Sequence, residues 1–416
     1  MNSSPDVLVI GAGAIGICSA YYLAEQGLQV TVVEQKEVAS GCSGANAGLI
    51  VPSYSIPLAA PGVLCQGLKW MLKPENPFYI KPRFDPVLFA WLRKFRKASN
   101  SQQMLDGLRI LRDLNYASLE LFDHLISEES LSCNYRKDGW LLAYRTAKGF
   151  QKALEDTPLL EAHDIDVKVL SADETLEMEP MFRTEISGGI FFPEDAHLDP
   201  EKFVRALAGR LRDRKTGILE QAKVLELEKL NKTIKVVRTT RGDFNPKHVV
   251  LAAGAWSPEL VQNLGINLPV QPAKGYSVSV KKPEICPAVP LYLSEAKVAV
   301  TPLEDVLRFA GTMELSGMDF RINRGRVNAI MRAAEDYLKE IEKLEIVDIW
   351  FGFRPCTPDG LPIIDRVPDY DNLIIATGHC MLGVSLAPIT GKLITQLVRG
   401  RTQDVELELL KATRFI

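Results

Sequence analysis

The chain of 416 residues lacks the features that define several large classes of protein. Its seven cysteines are scattered and never spaced C-x-x-C, which excludes a disulfide framework and a zinc ribbon and is typical of a reducing compartment. The 49 basic and 52 acidic side chains form no basic block. A nucleic-acid partner is therefore not expected, and a small-molecule partner is favoured.

Targeting and membrane-spanning signals are also missing. No apolar stretch approaches the roughly 20 residues that a transmembrane helix needs. The residues before the first glycine cluster carry no Lys or Arg and only a short apolar run, so a signal peptide is not expected. These absences predict a cytoplasmic protein of ordinary globular composition, long enough for two domains.

A glycine-rich turn near the N-terminus joins a strand to a helix. The apolar run Val7–Ile10 predicts a buried strand, and a helix is expected from about Ala14 to Gln26. Gly11 permits a tight turn, Gly13 lets the backbone approach a pyrophosphate, and Gly16 allows close packing of helix on strand. With Ala14 and Ile15 these residues predict a dinucleotide site at the helix N-terminus.

An acidic residue ends the next predicted strand. Glu34 follows the run Val30–Val33 and is expected, with the adjacent Gln35, to contact the ribose of the dinucleotide. A carboxylate accepts hydrogen bonds from ribose hydroxyls and would repel a 2′-phosphate. The glycine turn and this acid together are much more specific than either one alone.

Two further segments favour FAD over NAD. The first is a second glycine-rich turn, for which we predict cofactor contacts from Ser43, Gly44, Asn46, Ala47, Gly48 and Leu49. The second is a C-terminal turn before a helix expected from about Pro388 to Arg399. Its N-terminus would stabilise negative charge on a reduced flavin ring. The predicted contacts there are Gly378, His379, Met381, Leu382, Gly383, Val384 and Ser385.

With these motifs the chain resembles the D-amino acid oxidase superfamily of FAD-dependent enzymes over essentially its whole length. The stretches 44–50, 57–62, 68–71, 274–277 and 311–317 are most similar to bacterial D-amino acid dehydrogenases, and 352–362 also resembles glycine oxidases. The resemblance implies contacts between the cofactor and Val224, Ala253, Gly254 and Trp256.

The resemblance also implies a fold that combines α/β and α+β parts. A Rossmann-type FAD-binding domain is expected from residues 1–85, 196–269 and 349–416. A substrate domain with an antiparallel sheet, from residues 86–195 and 270–348, is expected to be inserted into it. FAD is expected to be non-covalent, because the alignment with flavin-linked sarcosine oxidases puts their attachment cysteine at Gly352 rather than Cys356. No metal site is expected.

Four residues are candidates for the chemistry. Arg354 is expected to bind a substrate carboxylate, because a guanidinium matches a carboxylate with two parallel hydrogen bonds. Tyr276 could add a hydroxyl to the same carboxylate or belong to the core. Thr312 and Glu314 alternate with Met313 and are expected to share one face of a strand, which could line the pocket or be a solvated sheet face. His379 could transfer a proton, although a backbone contact with the flavin is preferred.

The expected reaction is oxidation of a small amino acid of the D-amino acid or cis-hydroxy-D-proline type. Hydride transfer to the flavin gives an imine and then a 2-oxo acid, and electrons pass on to a quinone, another carrier or oxygen. Two alternatives stay open. One is a glycine- or sarcosine-type amine oxidase that uses oxygen, and the other is the FAD-bearing subunit of a hetero-oligomeric amine dehydrogenase.

An apolar segment from Pro57 to Leu72 has two interpretations. A buried loop over the active site is preferred. Peripheral contact with the inner membrane is the alternative, because an electron donor to membrane quinones needs such a surface.

Overall fold

A computed structural model of the chain describes residues 4–63, 76–401 and 407–415. Residues 64–72 of the apolar segment, including the 68–71 motif, lie outside the described residues. The strands, in chain order, are β1 (Val7–Ile10), β2 (Val30–Val33), β3 (Leu49–Ile50), β4 (Phe78–Ile80), β5 (Trp140–Tyr144), β6 (Lys168–Leu170), β7 (Gly188–Phe192), β8 (Ala196–His197), β9 (Gly217–Leu219), β10 (Val224–Leu230), β11 (Thr233–Thr239), β12 (Gly242–Phe244), β13 (His248–Leu251), β14 (Gln271–Lys281), β15 (Leu291–Leu293), β16 (Val298–Pro302), β17 (Val306–Leu315), β18 (Ile346–Cys356), β19 (Ile363–Arg366) and β20 (Leu373–Thr377).

Helices cover much of the remaining chain. The α-helices of the described ranges are α1 (Ala14–Glu25), α2 (Pro86–Ala98), α3 (Ser101–Glu128), α4 (Ala147–Glu161), α5 (Ala172–Met178), α6 (Pro200–Asp213), α7 (Ser257–Val261), α8 (Arg324–Tyr337) and α9 (Ala387–Arg399). Within those ranges no helix has the length and apolar character needed to cross a bilayer.

The first sheet is largely parallel and has the strand order β19-β20-β13-β1-β2-β9. Only β19 runs antiparallel to its neighbour β20. Strand β1 is central, and Val9 pairs with both Val32 and Val250. Its side chains alternate between two cores: Val7 and Val9 pack in the core that includes residues of α1 and α9, and Leu8 and Ile10 in the core that includes residues of β10 and β11. Both faces are therefore covered, which explains the continuous apolar run of the strand.

The second sheet is mostly antiparallel and has the order β18-β14-β17-β16-β15-β5-β7-β6, with β4 added beside β17. Strand β14 lies between β17 and β18, and both pairings are antiparallel. The parallel sheet and this larger mixed sheet confirm the predicted combination of a Rossmann-type unit with an antiparallel-sheet unit. The division of the chain into domains at the predicted residue boundaries stays a prediction.

Two features of this fold position the site. The helices α1 and α9 pack so closely that a side chain at Gly391 would touch the carbonyl oxygen of Cys18 at 2.6 Å. Their N-termini follow the two predicted cofactor turns. Strand β18 pairs with β14 up to Cys356, so the end of the larger sheet reaches the two cofactor turns before α1 and α9.

Candidate active site

A cavity of about 790 Å³ lies where the N-terminus of α1, the ends of β2 and β13, and strand β18 meet. Its size is that of a cofactor or substrate pocket. Most predicted site residues line it: Gly11, Gly13, Ala14, Ile15, Glu34, Gln35, Ser43, Asn46, Val224, Ala253, Gly254, Trp256, Arg354, His379, Met381, Gly383 and Val384. Other predicted residues do not line it: Gly16, Gly44, Ala47, Gly48, Leu49, Tyr276, Thr312, Gly378, Leu382 and Ser385.

The first glycine turn is held by backbone contacts that only glycine permits. Gly11 has φ +108°, and a Cβ there would lie 2.5 Å from the carbonyl oxygen of Ala252. A Cβ on Gly16 would overlap the carbonyl oxygen of Gly11. Gly16 therefore acts by packing the helix against the turn, while Gly13 faces the cavity. A Cβ on Gly13 would come 3.0 Å from Ser43 Oγ.

Glu34 supports the same turn from the end of β2. One carboxylate oxygen accepts a hydrogen bond from the Ala12 amide at 2.8 Å, and the other accepts from the Lys36 amide at 3.0 Å. Each oxygen has a second lone pair for a ligand hydroxyl. The carboxylate is thereby oriented at the cavity wall, as a ribose contact requires.

The second glycine turn touches the first through Ser43, whose hydroxyl accepts from the Ala14 amide at 2.9 Å. Asn46 donates to Cys42 O at 2.9 Å and accepts from the Gly48 amide at 2.8 Å, which closes the loop on itself. Arg308 donates to Asn46 O at 3.1 Å. Gly48 has φ +67°, and a Cβ there would overlap the carbonyl oxygen of Leu198. Gly48 therefore shapes this loop without lining the cavity.

The C-terminal turn places His379 beside the cavity in a buried, neutral state. Its Nε2 lies 3.0 Å from the Thr390 hydroxyl. Burial lowers the pKa of His379 to about 3. The imidazole of His379 therefore does not titrate near neutral pH. Ser385, further along the turn, donates to Asn115 Oδ1 at 2.7 Å.

Because His379 is neutral, its replacement is expected not to change the pH dependence of kcat/KM. We expect His379→Gln to leave the shape of the kcat/KM profile near pH 7 unchanged, because the imidazole is neutral above about pH 3. The measurement is kcat/KM across the pH range for the parent and the variant. If the variant lost a limb of the kcat/KM profile with a midpoint of about pH 6.5, the ordinary histidine pKa, the prediction would be contradicted.

Arg354, near the end of β18, presents its guanidinium to the cavity. Nη1 donates to the Thr312 carbonyl oxygen at 2.9 Å. In the part of the chain that the structure describes, no carboxylate lies within 4.0 Å of it, whereas Arg83, Arg212 and Arg414 each have such a partner. Its remaining donors are free for a ligand, and a carboxylate is the group that fits them best.

Room for this guanidinium comes from Gly275 on the neighbouring strand β14. A Cβ on Gly275 would overlap the Arg354 guanidinium. We therefore expect Gly275→Ala to displace Arg354 and raise KM for the substrate at least about 10-fold, the effect of losing one charge-assisted hydrogen bond. Steady-state kinetics with cofactor content measured in parallel would check it. An unchanged KM would contradict the prediction that the position of the Arg354 guanidinium at Gly275 sets substrate affinity.

Tyr276 lies away from the cavity, in a buried polar cluster. Its hydroxyl donates to Glu314 Oε2 at 3.2 Å, and Glu314 forms an ion pair with Arg326 at 3.3 Å. The Asn323 amide donates to the same hydroxyl at 3.4 Å. The hydroxyl of Tyr276 is thus engaged within the protein, as a core tyrosine would be. Its predicted substrate contact has no support in this geometry.

Thr312 contacts the site through its backbone. It has φ +65°, which breaks the strand alternation on which the prediction of a shared face with Glu314 was based. Its carbonyl oxygen is the acceptor for Arg354. Its hydroxyl is buried and has no hydrogen-bond partner among the described residues. Thr312 therefore orients the arginine instead of lining the pocket.

Two tyrosines that were not predicted lie near Arg354. The hydroxyls of Tyr54 and Tyr292 interact with each other, and the charge of Arg354 acts on both. Burial raises the pKa of Tyr54 to about 12 and raises the pKa of Tyr292 well above its ordinary value, so both remain neutral donors. Trp140 packs against both rings. No local sequence motif marks these residues; only the strand pairing and the loop after β3 bring them together.

Comparison with known proteins agrees with this geometry. A family model described as "DAO: FAD dependent oxidoreductase" matches residues 6–397. The chain belongs to this family of FAD-dependent oxidoreductases. A D-amino acid dehydrogenase of Vibrio atlanticus is 33% identical over 99% of this chain and 100% of that protein.

Solved structures share the fold over the full length. A glycine oxidase from Geobacillus kaustophilus has a TM-score of 0.82 at 24% identity, covering 100% of both chains. An L-proline dehydrogenase from P. horikoshii has a TM-score of 0.77 at 20% identity, covering 100% of this chain and 98% of that one. These likenesses confirm the predicted fold class, which combines a Rossmann-type unit with an antiparallel-sheet unit.

The groups around the cavity fit FAD, the cofactor of this family. The α1 N-terminus with Gly13 offers backbone amides to phosphates, and the Glu34 carboxylate can accept from ribose hydroxyls. Of the turn before α9, His379, Met381, Gly383 and Val384 line the cavity; the contact of the flavin ring with the helix N-terminus stays a prediction. Flavin-linked sarcosine oxidases carry their attachment cysteine at the position of Gly352. Gly352 lines the cavity and has no sulfur that could bind the flavin covalently.

Proposed function

We propose that the protein oxidatively deaminates an α-amino acid, with Arg354 holding the substrate carboxylate. The observation that carries the proposal is the guanidinium that reaches the cavity without an acidic partner among the described residues. The hydroxyls of Tyr54 and Tyr292 supply neutral donors beside it. A carboxylate is the only common group of small metabolites, apart from phosphate, that this donor set matches.

The chain's own residues bind and orient the substrate. Arg354 fixes the carboxylate, and its hydrogen bond to the Thr312 carbonyl oxygen fixes the guanidinium. The half-buried rings of Tyr54 and Tyr292 pack against the buried ring of Trp140 near this arginine. FAD, when bound, supplies the chemistry by accepting a hydride from the substrate Cα. Because His379 is neutral and buried, we propose that the amine is bound in its neutral form, with no protein base. The imine is then hydrolysed to a 2-oxo acid and ammonia.

The substrate that we propose is a small amino acid of the D-amino acid or cis-hydroxy-D-proline type. The full-length similarity to proteins named D-amino acid dehydrogenase supports it. The test is detection of 2-oxo acid and ammonia after incubation with D- and L-amino acids, D-proline analogues, glycine and sarcosine. Product from D-amino acids supports the proposal, and product from glycine or sarcosine alone would favour the alternative amine oxidase.

The electron acceptor is proposed to be a quinone or another carrier. The name dehydrogenase of the relatives supports this choice over oxygen. Oxygen consumption and reduction of an artificial quinone, each measured with the isolated chain and its best substrate, separate the two acceptors. Activity of the isolated chain would also count against a role as one subunit of a hetero-oligomeric dehydrogenase.

We also propose that the exposed face of α2 rests on an anionic membrane surface. Val87 and Phe89 in the first turn of the helix are 67% and 56% exposed, and Phe84, just before the helix, is 92% exposed with its ring 6.5 Å from that of Phe89. Exposed Arg93, Arg96 and Lys97 follow on the same helix. Apolar side chains beside basic ones are typical of a helix that lies on anionic lipid. Sedimentation with phosphatidylglycerol vesicles should retain the parent and lose Phe84→Ser/Phe89→Ser; equal retention would contradict the proposal.

A further inference from the structure

Cysteine thiols gather around Arg354, a pattern that amino acid oxidation does not require. Cys356 is two residues beyond the arginine, and Cys380 lies in the turn before α9. Their sulfur atoms are 2.8 Å apart and both residues are buried. Cys42 is a third thiol nearby, but it donates to the Phe353 carbonyl oxygen at 2.6 Å and is thus already engaged.

Backbone hydrogen bonds hold Cys356 and Cys380 side by side. Cys356 forms an isolated antiparallel bridge with His379, and the Cys380 amide donates to Pro355 O at 2.9 Å. The indole of Trp91 donates to Cys356 O at 3.0 Å, which fixes the strand end from the other side. The approach of the thiols therefore follows from the fold and does not depend on a mobile side chain.

Cys380 also adopts an unfavourable backbone conformation. Its φ is +49°, a region in which glycine is the ordinary residue and a side chain costs free energy. Strained positions of this kind concentrate at functional sites. The cysteine at this position carries the only sulfur of the pair that lines the cavity.

We propose that Cys356 and Cys380 form a redox couple that exchanges two electrons with the flavin. In the oxidative direction two S–H bonds break and one S–S bond forms, and two electrons and two protons leave the thiols. The oxidised flavin, which the family's activity supplies, accepts both electrons and one proton, and solvent accepts the other proton. In the reverse direction the reduced flavin returns both electrons and the disulfide takes up two protons.

Distance and electrostatics favour this exchange. The sulfur atoms need to approach by less than about 1 Å to reach the length of a disulfide bond, about 2.05 Å. The hydrogen bond from Cys356 and the charge of Arg354 lower the pKa of Cys380. The same hydrogen bond and burial raise the pKa of Cys356. The cavity-facing sulfur is thus the more readily deprotonated of the two, and the thiolate is the form that reacts in thiol–disulfide chemistry.

The couple would store a second pair of electrons next to the flavin. Its oxidised form would tie the end of β18, which carries Arg354, to the cofactor turn through a covalent bond. Only the bound flavin is needed for this role. The proposal therefore does not depend on which amino acid is the substrate, and it can fail or hold independently of the proposed deamination.

An anaerobic dithionite titration of the air-oxidised holoenzyme, followed by absorbance, tests the proposal. We expect the parent to take up about four electrons per flavin, and Cys356→Ser and Cys380→Gly about two, because a disulfide is a two-electron couple. Glycine suits φ +49°, so Cys380→Gly should fold at least as well as the parent. Cys286→Ser, which changes a half-buried cysteine that does not line the cavity, is the matched control and should still take up about four.

Peptide mass spectrometry after quenching in an alkylating agent gives a second readout. The peptides with Cys356 and Cys380 should be linked in the oxidised holoenzyme and separately alkylated after the titration. Uptake of only about two electrons by the parent, with both thiols alkylated in the oxidised enzyme, would overturn the proposal. A disulfide that persists while the flavin is fully reduced would also overturn it.

Discussion

Replacing Arg354 by lysine is expected to lower kcat/KM for the amino acid substrate at least about 100-fold, and replacing it by alanine further still. Lysine keeps the charge but loses the planar pair of donors, and alanine loses both. Among the described residues the guanidinium has one hydrogen-bond acceptor, the Thr312 carbonyl oxygen, and its other donors remain available for the carboxylate. Steady-state kinetics on the parent and both variants would measure the loss.

A substrate without a carboxylate provides the control for this prediction. The decarboxylated amine should be a poor substrate of the parent and should lose far less activity in the two variants. FAD content should stay close to that of the parent, because this residue is assigned to the substrate. Equal losses on the amino acid and the amine would show that Arg354 supports the fold or the flavin instead.

Gly13→Val is expected to yield mostly apoprotein. The side chain would project into the cavity at the start of α1, where the amides offered to the pyrophosphate lie, and it would also press on Ser43 Oγ at 3.0 Å. Gly16 is a poorer test, because a side chain there overlaps the backbone of Gly11 and disturbs the fold itself.

The matched control for Gly13→Val is Gly209→Val on α6. A Cβ at Gly209 meets no other atom within 4 Å, so this variant carries the same added volume without a clash. Flavin released by denaturation and quantified by absorbance gives the occupancy of each protein. Full occupancy in Gly13→Val, with the same value in the control, would mean that the glycine turn does not bind the cofactor.

The cofactor half of the site could be predicted from sequence because its signals are local. Strand β1, the turn and helix α1 occur within twenty-five residues, and the helix begins at Ala14 and ends at Glu25, close to the predicted bounds. Glycines with positive φ or close backbone contacts, such as Gly11, have no substitute, so they mark the turn in the sequence. The predicted FAD cofactor and the predicted fold class follow from these signals and are confirmed.

The substrate half depends on contacts between distant segments. Tyr54 follows the short strand β3 and Tyr292 lies on β15, and only the folded chain brings both to Arg354. Thr312 was predicted from the alternation of a regular strand, and Tyr276 from its place after the predicted strand entry at Lys274 and Gly275. The pairing of β14 with β17 shifts between Lys274 and Tyr276, and Thr312 has positive φ, so the alternation of faces fails at these residues. Local periodicity cannot reveal such an irregularity.

Anaerobic reduction of the bound flavin tests the central claim most directly, because it requires neither an electron acceptor nor a partner protein. The purified holoenzyme is mixed without oxygen with D-amino acids, D-proline analogues, glycine, sarcosine and the matching decarboxylated amines. Bleaching of the flavin absorbance by one or more amino acids, and not by their decarboxylated analogues, is the predicted result. Bleaching by both to the same extent, or by no amino acid while dithionite still reduces the flavin, would contradict the account.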